Sequence, residues 1–189
     1  MVEVTDRAVW RRWLEENHAT AGGAWLVTWR RSSGRPSLGY EAAIEEALCF
    51  GWVDGQAGTV DEQRSKLYFA PRRSRSPWVR SNKERISRLI AAGRMAPAGM
   101  AVVERARADG SWSIFDAADR LEVPHDLAAA LDARPPARAS WEAYPPGIRR
   151  QVLQSIALAR RPDTRRRRID QAAEQAQRND RPGRQITGQ

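Results

Sequence analysis

The sequence predicts an α+β fold, with a small antiparallel sheet and helices in residues 1–95 and a helical part over 96–189 packed on the first. Three observations support this. Short aromatic-rich segments alternate at strand period near 25–29, 52–57 and 67–69; apolar residues recur at helical spacing before and between them; and beyond Pro97 only helical patterns remain, separated by proline and glycine. An apolar fraction of 41% with eight tryptophans in 189 residues supplies a core for one domain or two small ones, which excludes a wholly disordered chain.

The first element spans 6–16, where Val9, Trp10, Trp13 and Leu14 form one stripe and Arg11, Arg12, Glu15 and Glu16 lie between them. Asn17 and Gly22-Gly23 end that helix. Trp25, Val27 and Trp29 alternate with Leu26, Thr28 and Arg30 as a strand, and 31–36 is a polar turn. Residues 40–48 gather Tyr40, Ile44, Ala47 and Leu48 on one helical face. A second strand follows within 52–57, and Leu67-Tyr68-Phe69 begins a third that Pro71 stops. Ser81-Asn82-Lys83-Glu84 has the spacing of a capping box for a helix burying Ile86, Leu89 and Ile90 and ending at Gly93. Further helices are expected over 98–108, over 127–132 capped by Asp126, and over 137–143. One more is expected around the stripe Ile148, Val152, Leu153 and Ile156, and a last one runs from Asp163 or Thr164 to about Ala176. The segment 180–184 is expected to be loose.

Composition narrows the function classes. The single cysteine, Cys49, cannot form an internal disulfide, and His18 and His125 offer no metal-ligand spacing, so no metal site and no cofactor are expected. No apolar run is long enough to cross a bilayer, and Met1-Val2-Glu3-Val4-Thr5-Asp6 lacks the pattern of a secretory leader, from which a cytoplasmic location is expected. The formal charge of +9 favours anionic partners, although only Lys66 and Lys83 are lysines and the arginine bias weakens the inference to nucleic acid. Charge is also unevenly spread: 35–62 is acidic and 72–88 is basic.

The best candidate for a pocket wall is 49–55. Gly51 and Gly55 admit unusual backbone angles, and Trp52 and Asp54 share one face of the strand between them. That indole and carboxylate can hold a planar or cationic ligand, and with Arg72, Arg73 and Trp78 they would form a small anion-tolerant pocket. The competing structural role puts Trp52 in the core and pairs Asp54 with Arg72 or with turn amides. Cys49, flanked by Leu48 and Phe50, is a candidate reactive thiol but fits a buried structural residue better. Arg75 and Arg80 near Trp78, and Arg165, Arg166, Arg167 and Arg168 further on, are candidate phosphate contacts for weak, sequence-independent nucleic-acid binding.

Several spaced motifs resemble the YdeI/OmpD-associated, or bacteriocin-protection, family. They are Leu38-Gly39-Tyr40-Glu41-Ala42, Ala47-Leu48-Cys49-Phe50-Gly51-Trp52-Val53-Asp54-Gly55, Phe69-Ala70-Pro71-Arg72 with Ser76 and Trp78, and Asn82-Lys83-Glu84-Arg85. Gly93-Arg94-Met95, Pro97-Ala98-Gly99, Arg149-Arg150 and Ala159-Arg160-Arg161-Pro162-Asp163-Thr164-Arg165 continue them in order. Gly39, Val53, Pro77 and Val79 depart mildly from the pattern. The resemblance implies a bacterial accessory protein of bacteriocin or envelope-stress protection and assigns no reaction and no catalytic residue. The expected activity is binding of a small anionic molecule or a protein partner. Two alternatives stand beside it: weak nucleic-acid association, and an enzyme using Asp54 as acid or base with Arg72 orienting an anion.

Overall fold

The computed structural model describes residues 1–180, so the expected loose segment lies outside the described residues beyond Asp180. The chain divides into two compact units, Met1–Trp112 and Ser113–Gln189. The first holds β1 (Val2–Glu3), α1 (Arg7–Asn17), β2 (Ala24–Trp29), α2 (Tyr40–Cys49), β3 (Trp52–Thr59), β4 (Arg64–Pro71), α3 (Arg80–Ala91) and α4 (Pro97–Ala108). The α+β class holds, with a helical C-terminal part.

The sheet is mixed, where an antiparallel one was expected. Its order is β1-β2-β4-β3; β2–β4 and β4–β3 are antiparallel, but β1 runs parallel to β2. Because α1 intervenes, the chain crosses over before β2 instead of turning back in a hairpin. A two-residue strand carries too little alternation to be seen in sequence, yet Val4 beyond it is fully buried and its amide donates to the Val27 carbonyl at 3.2 Å.

Asp6 caps α1, its carboxylate accepting the amides of Ala8 at 2.9 Å and Val9 at 3.0 Å. Trp10 and Leu14 bury, and Trp13 stacks on Trp10 at 5.3 Å, whereas Val9 faces solvent. Register gives the sheet two faces. Ala24, Leu26, Phe69 and Trp52 share the face that packs under α1 and α2, while Trp25, Tyr68, Lys66 and Trp29 lie on the other.

The turn from α2 into β3 needs glycine: Gly51 has φ +75, and an added Cβ would lie 2.6 Å from Val102. At Gly99 the constraint is pure proximity, since a Cβ there would lie 2.2 Å from the Cys49 carbonyl oxygen. That oxygen also accepts the Ala96 amide at 3.0 Å, so α4 is seated directly on the end of α2.

The capping box expected at Ser81 does not form. Val79 is the N-cap without a side-chain bond, Arg80 and Ser81 are already helical, and the Asn82 and Lys83 amides donate to the Val79 carbonyl. Glu84, which would have reached back, instead accepts from Arg80 at 2.7 Å. Ile86 and Leu89 bury, but Ile90 stays at the surface.

The second unit contains α5 (Asp116–Asp119), α6 (His125–Asp132), α7 (Ala137–Ala143), α8 (Pro146–Ala157) and α9 (Pro162–Gln177). Its core joins Leu127, Leu131, Trp141, Leu153, Ile156, Ile169 and Ala173. Prolines at the first helical position start α8 and α9 with their missing N–H where no partner is needed. Asp126 and Asp163 therefore sit inside their first turns, not at the caps expected for them, because Pro124 and Arg161 occupy the cap positions. Among the described residues no helix is long and apolar enough to cross a membrane.

Candidate functional site

In the first unit the strands extend past the helices that cover them. Ala24 and Leu26 are buried in the core, but Thr28, Ser65 and Ala57, further along the same face, keep partial or full exposure. The result is a groove of about 940 Å³ with Leu26, Thr28, Ser65, Leu67 and Ala57 as floor and Leu38, Gly39, Tyr40 and Ala43 as one wall. The segment Trp29 to Ser37 forms the other wall. This volume lies near the upper end of small-molecule sites.

Its charge is one-sided. Arg30, Arg31 and Arg35 line the groove and no carboxylate does; Lys66 borders it, but its side chain projects from the opposite face of the sheet. Arg35 rests its guanidinium over Trp29 at 4.2 Å, and Lys66 lies over Trp25 at 4.7 Å, so aromatic faces hold both cations without neutralising them. Arg30 donates to the Thr59 hydroxyl at 3.0 Å and leaves its buried Nε unpartnered. The N-terminus of α2 opens here with Gly39 as its cap and no side chain satisfying its first amides. Tyr40, 60% exposed, donates its hydroxyl to Asp54 at 3.1 Å. Partial burial and then the Asp54 charge raise the Tyr40 phenol above its ordinary value, so it stays a neutral donor.

The residues expected to form one pocket fall in three places. Trp52 is 1% exposed, meets Trp13 edge-on at 5.9 Å and donates its indole N–H to the His18 carbonyl at 3.3 Å; it is a core residue. Asp54, on the same strand face, lies beside the groove through Tyr40. Arg72, Arg73 and Trp78 line a separate small hollow with Arg75, Arg105, Asp109 and Ser111. Trp78 is itself buried beneath the Arg72 guanidinium, 3.8 Å away. Asp54 influences Arg72 through its charge without forming an ion pair with it, which leaves the acid–base pairing of these two without a shared site.

Cys49 is fully buried, and burial followed by the Glu46 charge pushes its thiol up, with Arg11 opposing. Glu46 beside it has a wholly buried side chain and holds Arg7 at 2.5 Å, Arg11 at 2.9 Å and Arg94, while Arg7 also reaches Glu45. This ion-pair cluster ties α1 and α2 to the segment after α3. The helical spacing read over residues 40–48 gave no sign of the burial of Glu46.

Three of the six candidate phosphate contacts are engaged within the protein. Arg80 binds Glu84, Arg165 grips Asp126 through two bonds at 2.7 and 2.9 Å, and Arg168 donates to the Ser155 carbonyl. Arg166 and Arg167 are exposed, on a stretch of α9 shared with Asp163, Asp170 and Glu174. The groove itself was not foreseen, because Arg30 reads as the end of a strand and Arg31 and Arg35 as parts of a polar turn. Their clustering after Trp29 was the available signal.

Residues 2–102 match the family described as Domain of unknown function (DUF8412), and residues 120–179 match the family described as Bacteriocin-protection, YdeI or OmpD-Associated. No curated protein and no solved structure matches the chain. The motifs from Leu38 to Gly99 fall within the first match, and Arg149-Arg150 and 159–165 fall within the second. With more than half of its length covered by the first match, the chain belongs to the DUF8412 family, and within its C-terminal part residues 120–179 are similar to the YdeI/OmpD-associated proteins.

Proposed function

We propose that this protein is a cytoplasmic accessory of bacteriocin or envelope-stress protection that binds a small molecule with an apolar body and an anionic head in the groove beside α2. The observation that carries this reading is the pairing of an apolar floor, Leu26, Leu67 and Ala57, with three arginines and no carboxylate on the lining. An apolar body on that floor loses water on binding, and the anion meets Arg30, Arg31 or Arg35 with the helix amides close by. The protective role rests on the printed description of the family matched by 120–179.

Calorimetric titration with straight-chain carboxylates tests the binding. Affinity is expected to rise about fourfold for each added methylene, in line with the transfer free energy of a buried CH₂. Ala57→Trp, which fills the floor, should abolish binding without unfolding the chain, because Ala57 is exposed. Equal affinity for alkyl ammonium ions of the same length would refute the charge assignment.

A further inference from the structure

The second hollow of the first unit, independent of the groove, carries its own unbalanced charge. It is formed by the loop between β4 and α3 together with the end of α4, and Arg72, Arg73, Arg75 and Arg105 converge on it with the hydroxyl residues Ser74, Ser76 and Ser111. Asp109 is its one carboxylate, and it is already engaged, accepting the Ser111 amide at 2.9 Å; its bonds to Ser111, together with the nearby Arg75 charge, hold it below its ordinary value.

Arg72 is the most telling member. Its guanidinium lies on the Trp78 ring, and one terminal nitrogen donates to the Pro77 carbonyl at 2.5 Å and the Ser76 carbonyl at 3.4 Å. Its Nε is buried and has no partner. Among the described residues neither Arg72, Arg73 nor Arg105 makes an ion pair. Burial lowers the Arg72 pKa to about 10, the cost of holding a cation away from water without a counter-ion. Arg75, at the centre of the loop, is held at φ +58, a left-handed conformation that is uncommon for a side chain of this kind and concentrates at functional sites.

We infer that the hollow formed by Arg72, Arg73, Arg75 and Arg105 binds the terminal oxygens of a phosphate dianion, either inorganic phosphate or a phosphomonoester. The enclosed space is about 10 Å³, room for one oxygen-sized group, so the tip of the anion enters and the rest of the ligand stays in solvent. Arginine forks match the oxygens, and a double negative charge answers the cations better than a single one. A nucleic-acid backbone, which offers only diesters with one charge each, fits this site less well.

The test is thermal unfolding of the full chain at constant ionic strength in chloride, inorganic phosphate, phenyl phosphate or dimethyl phosphate, with calorimetry for affinity. Phosphate and phenyl phosphate at about ten times their Kd should raise Tm by about 3 °C over chloride, and dimethyl phosphate should not. Arg72→Ala risks unfolding the loop, so the decisive variant is Arg73→Ala with Arg105→Ala, two exposed positions. It should keep the Tm in chloride and lose at least tenfold in phosphate affinity. A phosphate effect no larger than that of chloride, an unchanged effect in the double variant, or a diester that binds as tightly as the monoester would each overturn the inference.

Discussion

Glu46 is a buried carboxylate that ties together separate segments of the first unit. A carboxylate with no exposure and three arginine partners sits at the junction of α1, α2 and the Arg94 segment. Glu46→Gln leaves those cations facing a neutral amide, and we expect a loss on the order of 3 kcal/mol in urea unfolding, tempered by the partial exposure of the arginines. A change below about 0.5 kcal/mol would mean the cluster is decorative. Cys49, next to it, should resist iodoacetamide at neutral pH in the folded protein and react fully once denatured, because burial and Glu46 favour the protonated thiol. The sign follows: a folded thiol pKa above its unfolded value stabilises the fold below the unfolded pKa, and that contribution disappears as pH rises through the folded one. Prompt stoichiometric labelling at pH 7 would contradict the burial.

At the scale of elements, close approach explains what hydrophobic pattern does not. Gly99→Ala places a methyl against the Cys49 carbonyl and should cost about 1–3 kcal/mol, whereas Gly22→Ala, with open space around it, should fall within about 0.5 kcal/mol of the parent. Equal effects would show that α4 does not pack on α2 as described. In the second unit the Asp126–Arg165 bond links α6 to α9, and the guanidinium holds the Asp126 carboxyl below its ordinary value of 3.8. Its contribution is therefore present above the unfolded pKa and lost as pH falls through the folded one. Both groups are partly exposed, so Asp126→Asn should remove less than about 1 kcal/mol, in full above about pH 4 and fading as pH falls below it, as read from paired urea titrations.

Amphipathic helices and aromatic strands were legible in the sequence because their periods survive in the chain itself: Trp10 with Leu14, Ile86 with Leu89, and the run 24–29 all sit where spacing puts them. The helix starts were legible only approximately. Proline and main-chain geometry set the caps at Pro124 and Arg161, while Glu84 was drawn to Arg80. Trp52 and Asp54 do share a strand face, as alternation requires, but α1 and α2 cover only part of that face, and no local pattern records where the cover ends. Hence Trp52 is core, Asp54 borders the groove, and the arginines of the loop after β4 gather elsewhere.

At the scale of the molecule, the central proposition is that sheet uncovered by helix becomes a binding surface. Backbone and methyl NMR during titration with decanoate tests it most directly. The largest shifts should fall on Leu26, Thr28, Ala57 and Leu67 with the Tyr40 amide, should saturate at one equivalent, and should weaken at least tenfold in Arg31→Glu with Arg35→Glu. Shifts scattered over both units, or confined to surfaces away from β2 and β4, would contradict it.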